Sequence, residues 1–174
     1  LKLHGVSKAR IVSVARGTPD RVSTSDNLEA NFQSGEITEI LQNGNFTYSD
    51  GTGRASASAA KFTPHDQVLE LEGSPRIVDG GMTTTAQHIR LNRASGVASA
   101  EGDVKTTNAA AKNENRQTLF AENSPIHITA AKMTASQKPA SATYSGKVRL
   151  WQNSNSVEAP LMEFYRARNR VTAE

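Results

Sequence analysis

A 29-residue pattern repeats along this 174-residue chain, and it constrains the fold more than any other feature. Ala57, Ala60 and Phe62 are followed by Leu69, Leu71 and Gly73. The same offsets return as Ala86, Ile89, Leu91, Ala98, Ala100 and Gly102. They return again as Ala130, Met133, Ala135, Ala142, Tyr144 and Gly146. The last copy is Ala159, Met162, Phe164, Val171 and Ala173. The step is 29 from Ala57 to Ala86 and from Ala130 to Ala159, but 44 from Ala86 to Ala130. The third copy therefore sits behind an insertion of 15 residues. Self-similarity at a fixed period means one supersecondary unit stacked on copies of itself.

Within each copy the residues alternate. In Gln67–Glu72, Leu69 and Leu71 share one face and Glu70 and Glu72 the other. Lys147–Gln152 and Pro125–Thr129 read the same way, and period two means half-buried strands. The offset from the first small residue to the next position breaks this alternation once. A bulge or corner there brings all three side chains to one face. Glycine at the end of each copy stands inside a strand pattern, which marks a bend. Asn43-Gly44, Asp50-Gly51 and Asp79-Gly80-Gly81 mark turns or bulges. No segment sustains a 3.6-residue period, so an all-β chain with little helix is expected. Hydrophobic residues make up only 36% and aromatics 5% of the chain, which favours thin layers over a deep, bulky core.

The first 50 residues carry an imperfect copy. Gly44 stands 29 before Gly73, with Ile40 and Gln42 ahead of it and Phe46 and Tyr48 after it at even spacing. Leu28, Ala30 and Phe32 resemble the small-to-aromatic segment, one residue out of register. Residues 1–23 read as a further degenerate copy or a capping hairpin, because terminal repeats are atypical. Residues 107–123, polar and without period, read as a flexible surface insertion. The chain begins and ends inside patterned segments, so targeting segments are expected to lie outside it. No run of about 18 apolar residues is present to cross a membrane as a helix.

These residues resemble a family. Gln42-Asn-Gly-Asn-Phe46, Ala57 through Leu71-Glu-Gly-Ser-Pro-Arg76, Thr85-Ala86 through Ala100-Glu-Gly-Asp-Val104, and Ala142-Thr-Tyr-Ser-Gly146 through Trp151 and Val157-Glu-Ala159 are similar to units of the OstA/LptA-type proteins of lipopolysaccharide transport. The resemblance covers about residues 24–174, and the first 23 are compatible with a related LptC-type part. It implies a single antiparallel β-jellyroll over residues 1–174, with two facing sheets opened into a groove. It also implies a non-enzymatic periplasmic carrier that binds the lipid A acyl chains of lipopolysaccharide and passes them towards the outer membrane. Its further partners would be other Lpt-type jellyrolls or identical copies, docked head to tail through sheet edges, with an inner-membrane anchor allowed for outside this chain. About 12 strands of ordinary length fit the sequence, each apolar on one face. The competing architecture is a parallel β-solenoid that binds or processes a polysaccharide. A scaffolding module without a ligand is the third.

The candidate groove-lining residues are Phe46, Tyr48, Phe62, Leu69, Leu71, Ile77, Ile89, Leu91, Val104, Met133, Tyr144, Val148, Leu150, Met162 and Phe164. For each of them, packing in a core competes with contact to an acyl chain. Arg166, Arg168 and Arg170 place three cations on one strand face, either solvated or set against phosphates or an acidic partner. Trp151, of opposite parity to Leu150, is expected to face outward. The chain shows no catalytic or metal motif. His4, His65, His88 and His127 lie far apart, there is no Gly-x-Ser-x-Gly, and no glycine loop cradles a phosphate. The pairs Glu70/Glu72 and Glu101/Asp103 resemble a glycosidase pair in type only, and solvated strand positions account for them. No cofactor is called for. With no cysteine, disulfide and thiol chemistry is excluded. A net charge of +3 is too small to require nucleic acid.

Overall fold

The computed structural model describes residues 2–14, 17, 19–109, 124–165 and 170–173. Strand follows strand: β1 (Lys2–Ser13), β2 (Arg21–Gln33), β3 (Glu36–Ser49), β4 (Gly53–Thr63), β5 (Val68–Glu72), β6 (Arg76–Asp79) and β7 (Met82–Thr85). Then come β8 (His88–Asn92), β9 (Val97–Asn108), β10 (Ile126–Gln137), β11 (Ala140–Gln152), β12 (Asn155–Tyr165) and β13 (Arg170–Ala173). All pairings among the described residues are antiparallel. The ladder runs in chain order, β1-β2-β3-β4-β5-β8-β9-β10-β11-β12-β13. A parallel solenoid is thereby replaced by a meander.

The repeat is a hairpin. Its second and fifth marked residues face each other across the strands: Ala60 opposite Leu71, Ile89 opposite Ala100, Met133 opposite Tyr144, and Met162 opposite Ala173. The third and fourth do the same, as Phe62 opposite Leu69, Leu91 opposite Ala98, Ala135 opposite Ala142, and Phe164 opposite Val171. Fixed offsets in sequence are thus fixed cross-strand pairs, the units that hold a sheet together. In the N-terminal copy the register differs from the reading by sequence. Leu28 faces Gln42 and Ala30 faces Ile40, so Leu28 and Ala30 take the places of Ala60 and Phe62. The hairpin between β2 and β3 is longer, and a constant offset could not reveal that shift.

β3, β9 and β11 bend within their length, and the chain bends again between β5 and β6. Gly44-Asn45, Gly73-Ser74, Gly102-Asp103 and Gly146-Lys147 all have positive φ. At β3 the two residues Gly44 and Asn45 oppose Ser58 alone, and at β11 Gly146 and Lys147 oppose Pro160 alone. This is a bulge, which bends its strand and turns its side chains. Proline, with no N–H to give, is tolerated in a sheet at such a place. Glycine is needed for space as well as for φ. A Cβ on Gly73 would lie 2.5 Å from the Ser58 Cβ, and one on Gly146 would lie 2.7 Å from the Ala131 Cβ.

The bends lie in one row across the ladder and divide it into two limbs. β4 pairs with β6 before its bend and with β5 after it, and β9 pairs with β8 before and β7 after. The facing sheets are therefore two limbs of one folded ladder. One limb gives Phe46, Ala55, Val104, Ile128, Val148 and Leu150 to the core, and the other gives Ala60, Leu69, Leu71, Ile89, Met133, Tyr144 and Met162. Ala57, Ala60 and Phe62 all belong to this core, so the corner brings the broken alternation back to one face.

Candidate functional site: a cleft between two limbs

All fifteen candidate lining residues reach the same interior. Phe46, Leu69, Leu71, Ile89, Val104, Met133, Tyr144, Val148, Leu150 and Met162 are buried there. Tyr48, Phe62, Ile77, Leu91 and Phe164 are half-buried and pack against them. In the β4–β5 hairpin exposure rises away from the corner row, whereas the inward side of β11 stays buried from Val148 through Leu150 to Gln152 at 2%. Leu71, two residues from Gly73, has 0% of its surface exposed, whereas Leu69 has 7% and its partner Phe62 is half-buried. The limbs meet at the bends, and the half-buried candidates lie towards the strand ends, at the rim between the two limbs. That rim carries Tyr48 and Ile77 on one limb and Phe62, Leu91 and Phe164 on the other. Ile126, Ala135 and Ala142 join the same rim but do not stand out in the sequence as large apolar positions of the repeat.

A few polar groups are sealed in this interior. Tyr144 and Thr106 come from opposite limbs and hydrogen-bond through their side chains, and Thr106 also meets Thr84 at 3.2 Å. Burial raises the Tyr144 phenol pKa, and the bond to Thr106 opposes that only in part. Tyr48 at the rim is also raised, chiefly by burial, against the nearby charge of Arg93. Arg93 in turn lies over the Phe62 ring, 5.9 Å from its centre. The turn below Tyr48 is held by Asp50, whose Oδ1 accepts from Thr52 N, Thr52 Oγ1 and Gly53 N at 3.1, 2.8 and 2.8 Å. Burial works to raise the Asp50 pKa, but these bonds outweigh it and hold the carboxyl below its usual range. Ser25 and Gln42, buried between β2 and β3, form a second polar group.

The outer faces are charged and neutralised across strands. Lys61 sits between Glu39 and Glu70 at 3.4 and 3.8 Å, and Arg90 reaches Glu70 at 3.4 Å. Glu101 meets Lys132 at 3.3 Å, and Asp103 accepts from Gln87 Nε2 at 3.0 Å. The acidic pairs accordingly sit in rows of cross-strand ion pairs and hydrogen bonds on the outside of the ladder. Trp151 does face outward, stacked on His127 with centres 5.2 Å apart and with the Arg149 guanidinium 5.6 Å from its ring centre. Among the described residues no group of three or more histidines and carboxylates is placed to hold a metal ion. Arg166, Arg168 and residues 110–123 of the insertion lie outside the described residues, while the backbone of Arg170 begins β13.

Among the described residues both ends of the ladder are strand edges: β1 has β2 on one side only, and β13 covers β12 from Met162 to Tyr165. Val157, on the uncovered half of β12, is 44% exposed and Val171 is 52% exposed.

This geometry has a solved counterpart. The structure of LptH, the LptA-homologous periplasmic component of the lipopolysaccharide transport device of Pseudomonas aeruginosa, superposes with a TM-score of 0.58. The fold is LptA-like. The match covers 70% of this chain and 80% of LptH at 13% sequence identity, so the likeness is one of architecture. No protein-family model and no curated protein sequence matches the chain.

Proposed function

We propose that this chain is a non-enzymatic periplasmic carrier, one jellyroll over residues 1–174, that holds the acyl chains of lipopolysaccharide between its limbs. The observation that carries this reading is the apolar interior between the limbs, with Tyr48, Phe62, Ile77, Leu91 and Phe164 half-buried at its rim. Alkyl chain entering such a cleft gains about 0.8 kcal/mol per buried CH₂, so no charged or catalytic group is needed to hold it. The LptA-like fold supports the same ligand, since its solved counterpart belongs to a lipopolysaccharide transport device. Movement towards the outer membrane would use the two open edges, where another jellyroll or a second copy adds its strand to the ladder.

The test is photo-crosslinking to purified lipopolysaccharide, with a photoreactive residue at Phe62, Leu91 or Phe164 and at the outward Glu70 and Arg90 as controls. Labelling from the first set alone is the expected result. Equal labelling from both sets, or none from the first, would sink the carrier reading.

A further inference from the structure

The interior of the cleft is not uniform along the ladder. Beside the corner row, the hairpins from β4 onward carry Ala57 with Leu71, Ala86 with Ala100, and Ala130 with Tyr144. The register of β2 on β3 places Ser25 and Gln42 in the corresponding positions. Both are deeply buried, at 4% and 5% exposure. Ser23 Oγ donates to Gln42 Oε1 at 2.8 Å, Gln42 Nε2 donates to Ser25 Oγ at 3.1 Å, and Ser25 Oγ donates to the Asn27 carbonyl at 2.9 Å. Among the described residues the contiguous buried core reaches Phe46 on β3 and includes no residue of β1 or β2.

We propose that Ser23, Ser25 and Gln42 form a polar stop that ends the acyl-binding track at β3, confining alkyl chains to the cleft from β4 to β13. The inference rests on the carrier reading and names the part of the cleft that the lipid occupies. Hydrocarbon laid beside this row meets an amide and two hydroxyls where the other hairpins offer alkyl side chains, so it gains less apolar contact there. The row is already bonded internally, so it has no reason to open for an apolar guest. Its position makes the two ends of the track unlike. The last pair at the β13 end, Met162 opposite Ala173, is apolar, whereas the β1 end meets Ser25 and Gln42 before the edge is reached; the polar side chains buried between them, Thr84, Thr106 and Gln152, interrupt the track without ending it. A long or branched set of acyl chains is therefore positioned by where it stops.

The experiment places a photoreactive residue at Phe62 and, in a separate preparation, at Leu28, which faces Gln42 across the strands. Both positions are half-buried, so neither demands a change in the packed core. Each full chain is irradiated with purified lipopolysaccharide. Phe62 should label, and Leu28 should label about tenfold less, the ratio expected when two methylenes lose their apolar contact. Adding Ser25→Ala and Gln42→Leu, which restores the small and apolar residues of the other hairpins, should bring Leu28 up to the yield of Phe62. Gln42→Leu alone is the second variant if the double one unfolds early. Comparable labelling of Leu28 and Phe62 in the presence of Ser25 and Gln42 overturns the stop, as does a folded variant that leaves Leu28 dark. Silence at Phe62 is a different failure: it removes the carrier reading and the stop with it.

Discussion

A single methyl group at Gly73 separates two costs that usually arrive together. Gly73 and Gly35 both have positive φ, but a Cβ on Gly35 meets nothing within 4 Å whereas one on Gly73 collides with Ser58. Gly35→Ala should cost about 1–2 kcal/mol from the left-handed backbone alone, and Gly73→Ala about 2–4 kcal/mol once overpacking is added. Urea titration of both variants measures the difference, and equal losses would mean that the corner yields freely. Tyr144 makes a second residue-scale prediction. Its neutral phenol is favoured in the folded state, because burial raises its pKa above the ordinary 10.0. That contribution is complete below the unfolded value and disappears as pH rises through the folded one. Alkaline unfolding followed by circular dichroism should be blunted in Tyr144→Phe, which at neutral pH should lose about 1 kcal/mol with the Thr106 bond. An unchanged alkaline limb would assign the sensitivity to other groups.

At the scale of elements, each hairpin was legible from its own residues because its two periods are local. Leu69 and Leu71 declare a strand face, and the constant spacing to Ala60 and Phe62 declares the pairing. What local pattern cannot carry is where the two limbs meet and where their rim lies. The rim became visible only when the bends were seen to fall in one row, because exposure at Phe62 or Leu91 depends on the opposite limb. Ser25 escaped for a related reason, as a polar residue that joins the buried face only through the longer β2–β3 hairpin, whereas Gln42 already stood at the repeat position of Leu71. The turn at Asp50 offers an element-scale test. Its carboxyl is held below the usual range, so the stability it provides is present above about pH 4 and fades as pH falls through the lowered value. Asp50→Asn should flatten this acid limb and cost about 1 kcal/mol near neutrality, measured by thermal unfolding across pH. A variant as acid-sensitive as the parent chain would refute the assignment.

For the molecule as a whole, the open questions concern its edges and its length. If edges dock, sedimentation at rising concentration should show open-ended association, because a head-to-tail contact that does not close builds rods. Val157→Lys, on the uncovered half of β12, should weaken that association without loss of fold, since a charge on an exposed edge discourages strand addition. Association indifferent to this change would place the contact elsewhere. Length follows from the hairpin register. Because Ala57 and Ala86 hold equivalent places, a tandem copy of residues 57–85 would present the same pairs and the same corner to both neighbours. Each such copy would extend the structure by about 10 Å, two strand spacings, and would replace the β5–β8 pairs by equivalent ones on either side of the new hairpin. The molecule is in this sense a ruler marked in hairpins, and its span can change by whole graduations while its cross-section stays the same.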